Sequence, residues 1–416
     1  MFPAPSVAES TQNINHAAGS RQILVLCHRL PYPPNKGDRI RSCHIIQHLA
    51  RNGWRIHLAT LLDSPDEEDR AAALRPYCAS FFADYLPSWR RMASLWRAFP
   101  DTSLSVQYFR SRRLQQYVDA VLADGDIAAV LAVSAPMAEY LRRTPGPRPR
   151  RMVLDLVDVD SLKWRAYAAR ERRPLSWVYA LESRLLSRYE EKAGTLFDSV
   201  TLVSEAEADL LRPRAKGRFS VASVANGVDA AYFAVGAQED APSPGTMIFC
   251  GAMDYPPNVD AVVWFSEQVL PLIRQGLPGA RFCIAGSNPV ARVQALGRRP
   301  GIRVTGTVPD IRPLVRSAAL SVAPVRLARG VQNKVLEAMA MGKAVVVTPQ
   351  ALEGIEAMPG REVAVAADEP QAFAAAVLAL LGDADRNRAM GERARAWVAS
   401  RYSWETCLLP LERCLA

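Results

Sequence analysis

The sequence has no C-x-x-C pair, no G-x-G-x-x-G fingerprint and no uninterrupted apolar window near the roughly 18 residues that a membrane-crossing helix requires. Each absence removes a class of protein. Without the long apolar run, no transmembrane helix is expected. Without the glycine fingerprint and an acidic residue placed to complete it, dinucleotide-dependent hydride transfer is not expected. The seven cysteines, at 27, 43, 78, 250, 283, 407 and 414, fall partly inside apolar runs and read as free core thiols in a reducing, cytoplasmic compartment. Cys43, His44 and His48 share one predicted helix but lack the matched second pair of a zinc site, so no metal is expected. Residues 1–21 lack both a basic start and a compact apolar run, and read as a disordered tail rather than a signal peptide. There is no helix-turn-helix, RNP aromatic signature or zinc-finger spacing. The formal charge of +9, with a pI of about 9.3, comes mostly from arginines scattered over predicted helices. Nucleic acid is therefore not expected as a partner, which leaves anionic small molecules and lipid surfaces.

What is present points to two globular domains. The chain has 416 residues, of which 49% are hydrophobic and 22% charged. Single cores stop growing near about 250 to 300 residues, so two are expected. Apolar runs at QILVLCH (22–28), WRIHLATL (54–61), IAAVLAVSA (127–135), RMVLDLVD (151–158) and SVTLVS (199–204) alternate with helical patterns. Alternation of this kind predicts a parallel sheet covered on both faces. The stretch 236–245, GAQEDAPSPG, reads as a linker, after which strands recur at TMIFCG, RFCIAG, IRVTGTV, LSVAPV and AVVVTP. The expected architecture is α/β, with two facing Rossmann-like doubly wound domains at 22–235 and 246–400. A C-terminal helix at 401–416 has a packing partner that spacing does not reveal. Ligands of such sheets bind at the carboxyl ends of the strands.

The loops at those ends carry the candidate chemistry. HRLPYPPNKGDRIR (28–41) is stiffened by prolines and places His28, Gly37 and Asp38 around a helix start, where glycine lets backbone amides approach a phosphate or sugar. Asp158 ends the run at 151–158 and Asp160 lies two residues beyond it. Strand alternation points both carboxylates one way, which suits acceptor-side or general-base work, a divalent metal, or simply a solvated strand end. Ser204 and Glu207 have capping-box spacing, and Asn226-Gly227 marks a turn with positive φ. Gly251 ends the first strand of the second domain and offers close approach to a pyrophosphate. In ARGVQNKVLEAMAMGKAVVVTP (328–349), Val335, Leu336, Met339 and Ala340 form one buried helix face, and Gly342 closes the helix. On the other side Asn333, Lys334 and Glu337 converge, a set suited to a phosphate joined to a hydroxylated sugar, although an ordinary surface Lys–Glu pair has the same spacing. Residues 86–99, LPSWRRMASLWRAF, align Trp89, Met92, Leu95, Trp96 and Phe99 beside arginines, as an interfacial helix or a docked helix does.

Taken in order, KGDRIR, LVSEAEADLL, NGVDAAYF, IFCGAMDYPPNVDAV, VTGTVPDIRPL and NKVLEAMAMGKAVVVTP resemble the glycosyltransferases of family 4, which have the GT-B fold. HRLPYPPNKGDRIRS, VDVDSLKW and RGVQNKVLEAMAMGKAVV are most similar to sugar transferases of bacterial exopolysaccharide systems that accompany PEP-CTERM protein sorting. The resemblance implies retaining transfer from a nucleotide-diphosphate sugar, bound by the second domain in the cleft, to a glycan or polyprenyl-linked acceptor on the first. No cofactor and no metal are implied. In the family the second of two glutamates eight residues apart holds the ribose, and Glu337 matches it. Arg329 stands where the first would be. Arginine cannot accept a hydrogen bond from a sugar hydroxyl, so it either meets an anionic sugar or leaves the contact to the backbone amides of Gly330 and Val331. The family's basic pair on the diphosphate reads here as Met253 and Asn258, which makes Lys334 the cation for the leaving group. The acceptor-side histidine of the family falls in AVSAPMAEYL (132–141), which has none; either His28 or Asp158 substitutes for it, or no residue does. The expected site is thus Lys334 and Asp158 for catalysis, with Gly37, Gly251, Arg329, Gly330, Val331, Asn333 and Glu337 on the donor and His28, Asp38, Asp158 and Asp160 on the acceptor. A peripheral membrane contact through 86–99 would suit a lipid-linked substrate. A non-catalytic nucleotide-sugar-binding relative, a nucleotide-sugar epimerase and a basic surface-binding protein are the alternatives.

Overall fold

The computed structural model describes residues 21–34, 37–87, 89, 92, 102–124, 126–144, 146, 148–230, 232–234, 243–327 and 331–416. The chain forms two compact units. One runs to Ala225 and takes back Leu408–Ala416; the other is Asn226–Cys407.

The first unit is built on seven strands: β1 Gln22–Cys27, β2 Arg55–Leu62, β3 Cys78–Tyr85, β4 Ile127–Val133, β5 Arg151–Val157, β6 Ser199–Leu202 and β7 Ser220–Ser223. Their order is β3-β2-β1-β4-β5-β6-β7, and every pair is parallel. The second unit repeats the plan with β8 Ser243–Cys250, β9 Arg281–Ala285, β10 Ile302–Val304, β11 Ala318–Ala323, β12 Val345–Val347 and β13 Ala364–Val365, in the order β10-β9-β8-β11-β12-β13. Both are doubly wound, and both reverse direction beside their first strand, between β1 and β4 and between β8 and β11. Strand β8 begins inside the stretch read as a linker.

Every strand expected from an apolar run forms. The three with no such run, β3, β7 and β13, are all edge strands. An edge strand packs one partner instead of two and needs no continuous apolar stretch: β3 is mostly half-exposed, whereas Ile23, Leu24, Val25 and Leu26 in β1 are wholly buried. The first core also holds a charge pair. Arg41 and Asp155 are fully buried and joined by two hydrogen bonds, of 2.7 and 3.1 Å; Arg41 also donates to the Val224 carbonyl, and Asp155 accepts from the Thr201 hydroxyl.

Two local expectations are corrected. Gly227 is not in the positive-φ region; a Cβ there would lie 2.6 Å from the Trp404 Cα, so glycine serves close packing rather than turn geometry. Asp158 and Asp160 do not lie in a strand, because β5 ends at Val157 and Asp160 opens the helix Asp160–Arg170. The closing helix is Trp404–Leu415. In the second unit the Cys407 thiol faces the Asn226 carbonyl, and in the first Glu412 lies 3.0 Å from His48 Nε2. That contact gives His48 a structural partner, and among the described residues no cluster of three or more metal-ligating side chains occurs.

Candidate functional site

In the second unit, the sheet reverses between β8 and β11, so the residues after both strands meet at its carboxyl edge. Gly251 and Asn258 come from the loop and helix after β8, and the helix Asn333–Ala340 follows β11. That helix buries Val335, Leu336, Met339 and Ala340, as its spacing predicts, and Gly342 follows it at φ +69°. Lys334 and Glu337 are left half-buried on the other side.

The Lys334 ammonium donates to Asn258 Oδ1 at 2.8 Å and to Gln332 Oε1 at 3.1 Å, and lies 5.3 Å from the centre of the Phe249 ring. Burial pulls its pKa down to about 8, against the pull of Glu337. Burial pushes the Glu337 carboxyl up to about 7, with Lys334 opposing. No hydrogen bond from another described residue reaches the Glu337 carboxylate, and the buried side-chain oxygen of Asn333 likewise has no partner. Unfilled acceptors beside an ammonium at a helix start have the chemistry that a hydroxylated phosphate ester requires. Val331 is half-buried in the same approach, whereas Arg329 and Gly330 lie outside the described residues.

Asn258 is the residue sequence reasoning undervalued. Counted as a lost positive charge, it is instead the support of Lys334: its Nδ2 donates to the Ala252 carbonyl at 2.9 Å while its oxygen accepts from the lysine. Gly251 makes room for it, since a Cβ there would lie 2.7 Å from Asn258 Nδ2. The Cβ side of Gly251 is thus taken by Asn258, not left open for a pyrophosphate. Gly286 is packed still closer, with a built Cβ 1.6 Å from the Gly251 carbonyl oxygen. Nearby Asp310 grips Arg312, whose guanidinium lies 3.9 Å from the Tyr232 ring centre.

The first unit has its own constellation at the ends of β1, β4 and β5. Cys27 pairs Val133 across β1 and β4, so His28 stands beside Ser134. The buried His28 Nδ1 has no partner, its Nε2 is 3.5 Å from Asp38 Oδ2, and its ring meets the Phe109 ring edge-on. Burial opposes ionisation of Asp38, but His28, Arg29 and the Arg39 amide hold its carboxyl well below the usual range. Gly37 opens the helix Gly37–Arg51 with nothing within 4 Å of a built Cβ, so its surface is open to approach. Asp158 and Asp160 both pair with Lys163, at 2.7 and 3.0 Å. The two carboxylates are committed to one ammonium and do not form an open metal cradle.

Backbone strain marks the same strand ends. Ser134 has φ 78° and ψ 144°, and the β-branched Val157 has φ 68°. Non-glycine residues hold such conformations only where the surrounding structure imposes them, typically at functional sites. No sequence pattern announces either.

Residues 244–383 match the family model of glycosyl transferases group 1. That span contains Gly251, Asn258, Lys334 and Glu337. No curated protein matches the chain. Among solved structures, the chain is similar to sucrose-phosphate synthase from Thermosynechococcus elongatus, at 16% identity and a TM-score of 0.69, covering 94% of this chain and 98% of that one. It is also similar to TarM of S. aureus, at 10% identity and a TM-score of 0.68, over 96% and 99% of the two chains. A third, Anabaena HepE in complex with UDP, gives 14% identity and a TM-score of 0.63 over 95% and 99%. The two Rossmann-like units are those of the GT-B fold.

Proposed function

We propose that this protein is a glycosyltransferase that moves a sugar from a nucleoside-diphosphate donor, held by the second unit, to a glycan or polyprenyl-linked acceptor met by the first. The observation that carries the reading is the helix Asn333–Ala340, which presents Lys334 and Glu337 at the sheet reversal inside the segment matching glycosyl transferases group 1. As the bond from sugar to diphosphate breaks, negative charge grows on the diphosphate. Lys334, oriented by Asn258, and the amides of the helix start would stabilise it. Glu337, without a donor of its own, accepts from ribose hydroxyls, and Asn333 has an oxygen free for a further contact. Because HepE is solved with UDP and with UDP-glucose, uridine donors are the first to try.

On the first unit, His28, Asp38 and the strained ends at Ser134 and Val157 would receive the acceptor hydroxyl, with Gly37 as an open backbone surface. Asp158 and Asp160, tied to Lys163, would take part as hydrogen-bond acceptors rather than as metal ligands. Retention at the anomeric carbon, metal-independent transfer, an exopolysaccharide or envelope glycan as product and a cytoplasmic, membrane-peripheral location complete the proposal. Of the 86–99 stretch, Trp89 and Met92 are exposed, and Leu95, Trp96 and Phe99 lie outside the described residues.

The test is turnover with a nucleotide-sugar panel in the presence and absence of polyprenyl-phosphate and oligosaccharide acceptors. Acceptor-dependent release of nucleoside diphosphate supports transfer. Conversion of the donor without acceptor would identify an epimerase, and binding without turnover a non-catalytic relative.

A further inference from the structure

A helical hairpin in the first unit ends in an apolar, arginine-flanked tip that has no part in the chemistry above. The helices Asp160–Arg170 and Leu175–Gly194 pack along one another through Trp164, Tyr167 and Tyr179, with ring centroids 5.2 Å apart for Trp164 and Tyr179. Away from the tip the hairpin is pinned by buried carboxylates. Glu182 accepts from Ser103 Oγ and from the Leu104 and Ser105 amides at 2.7, 2.7 and 3.0 Å, and Glu190 accepts from the Ser161 amide at 3.0 Å. The tip is different. Leu175, Trp177 and Val178 are 49%, 59% and 40% exposed, and Tyr167 is 44% exposed. Around them the sequence sets Arg165, Arg170, Arg172 and Arg173 against the single acid Glu171. The Arg173 guanidinium lies 4.7 Å from the Trp177 ring centre.

We propose that this tip docks on an anionic lipid surface. Amphipathic aromatics and aliphatic ends with guanidinium groups at their margin suit the boundary between acyl chains and headgroups, and the excess of positive charge complements anionic headgroups. A second copy of the chain is a poorer occupant, because apposing two such tips brings arginines against arginines. The fixed base makes the tip a rigid probe: it loses little conformational freedom on insertion. The inference does not depend on the donor; it shares with the functional proposal only the expectation of a lipid-linked acceptor.

Flotation of the full chain with phosphatidylcholine vesicles, with and without phosphatidylglycerol, tests it. The unaltered protein should bind the anionic vesicles and be released by salt. Leu175→Ser/Trp177→Ala and Arg172→Glu/Arg173→Glu should each weaken that binding by about tenfold or more, while thermal unfolding and nucleotide-sugar binding stay as in the parent. Absence of binding to anionic vesicles, or equal binding by the parent and both variants, would overturn the proposal. So would a concentration-dependent dimer abolished by the same substitutions. Because donor binding is read separately, failure at the tip leaves the donor assignment standing.

Discussion

Lys334 and Asn258 come from helices that follow different strands of the second sheet, yet the ammonium and the side-chain oxygen meet at 2.8 Å. The lysine is thereby aimed by a neutral residue. Asn258→Leu removes the acceptor while leaving the charge, and Gly251→Ala pushes the asparagine from its seat. Hydrogen bonds to charged groups are worth about 1.5 to 3 kcal/mol, so each change is expected to weaken nucleoside-diphosphate binding by about tenfold or more. Calorimetry with UDP and GDP checks this; unchanged affinity in both variants would detach Asn258 from the site.

The paired shifts of Glu337 and Lys334 predict an unusual pH profile. Glu337 rises from 4.5 to about 7, so between those values the folded chain holds a proton the unfolded chain has released, and stability falls as pH rises. Lys334 drops from 10.5 to about 8, so between those values the folded chain has lost a proton the unfolded chain keeps, and stability rises with pH. The contribution of the pair is therefore lowest between about 7 and 8, where both are charged. Melting temperatures across this range, taken as the difference between the parent and Lys334→Met/Glu337→Gln, should show that minimum, and a bound nucleotide sugar should fill it in.

The buried pair Arg41 and Asp155 is predicted to be costly to break. Asp155→Asn leaves a guanidinium that is 1% exposed without its counter-charge, at an expected cost of about 3 to 5 kcal/mol. Urea unfolding measures it, and a loss below about 1 kcal/mol would mean that solvent reaches Arg41.

Much of this molecule was legible in the sequence, and the rest was hidden for physical reasons. Central strands such as β1 and β4 announce themselves because both faces are buried; β3, β7 and β13 do not, because an edge strand can be polar. The helix Asn333–Ala340 and its closing Gly342 followed from periodicity and glycine chemistry. Lys334 and Glu337 stood out by spacing on that helix. The support from Asn258, 76 residues away, did not, and neither did the Arg41–Asp155 pair, because contacts across a sheet leave no local spacing. Asp158 and Asp160 looked like an open pair until Lys163 closed it.

Ser134 offers a test of stored strain. With φ 78° and ψ 144° it occupies a region that glycine alone enters freely. Ser134→Gly is expected to raise stability by about 1 kcal/mol, since relief of strain outweighs the added flexibility of the unfolded chain. Thermal and urea unfolding check it; a loss of stability would show that the serine side chain makes up for its backbone.

The most direct test of the account is calorimetric titration and thermal shift with UDP-glucose and its UDP and GDP counterparts, for the parent chain and Glu337→Ala. A ligand at a hundred times its dissociation constant adds about 2.7 kcal/mol of stability, well within detection. The expected result is selective stabilisation by one nucleotide sugar, weakened by Glu337→Ala with the parent fold retained. Failure of every nucleotide sugar to bind, or binding indifferent to Glu337, would contradict a donor site on the helix Asn333–Ala340.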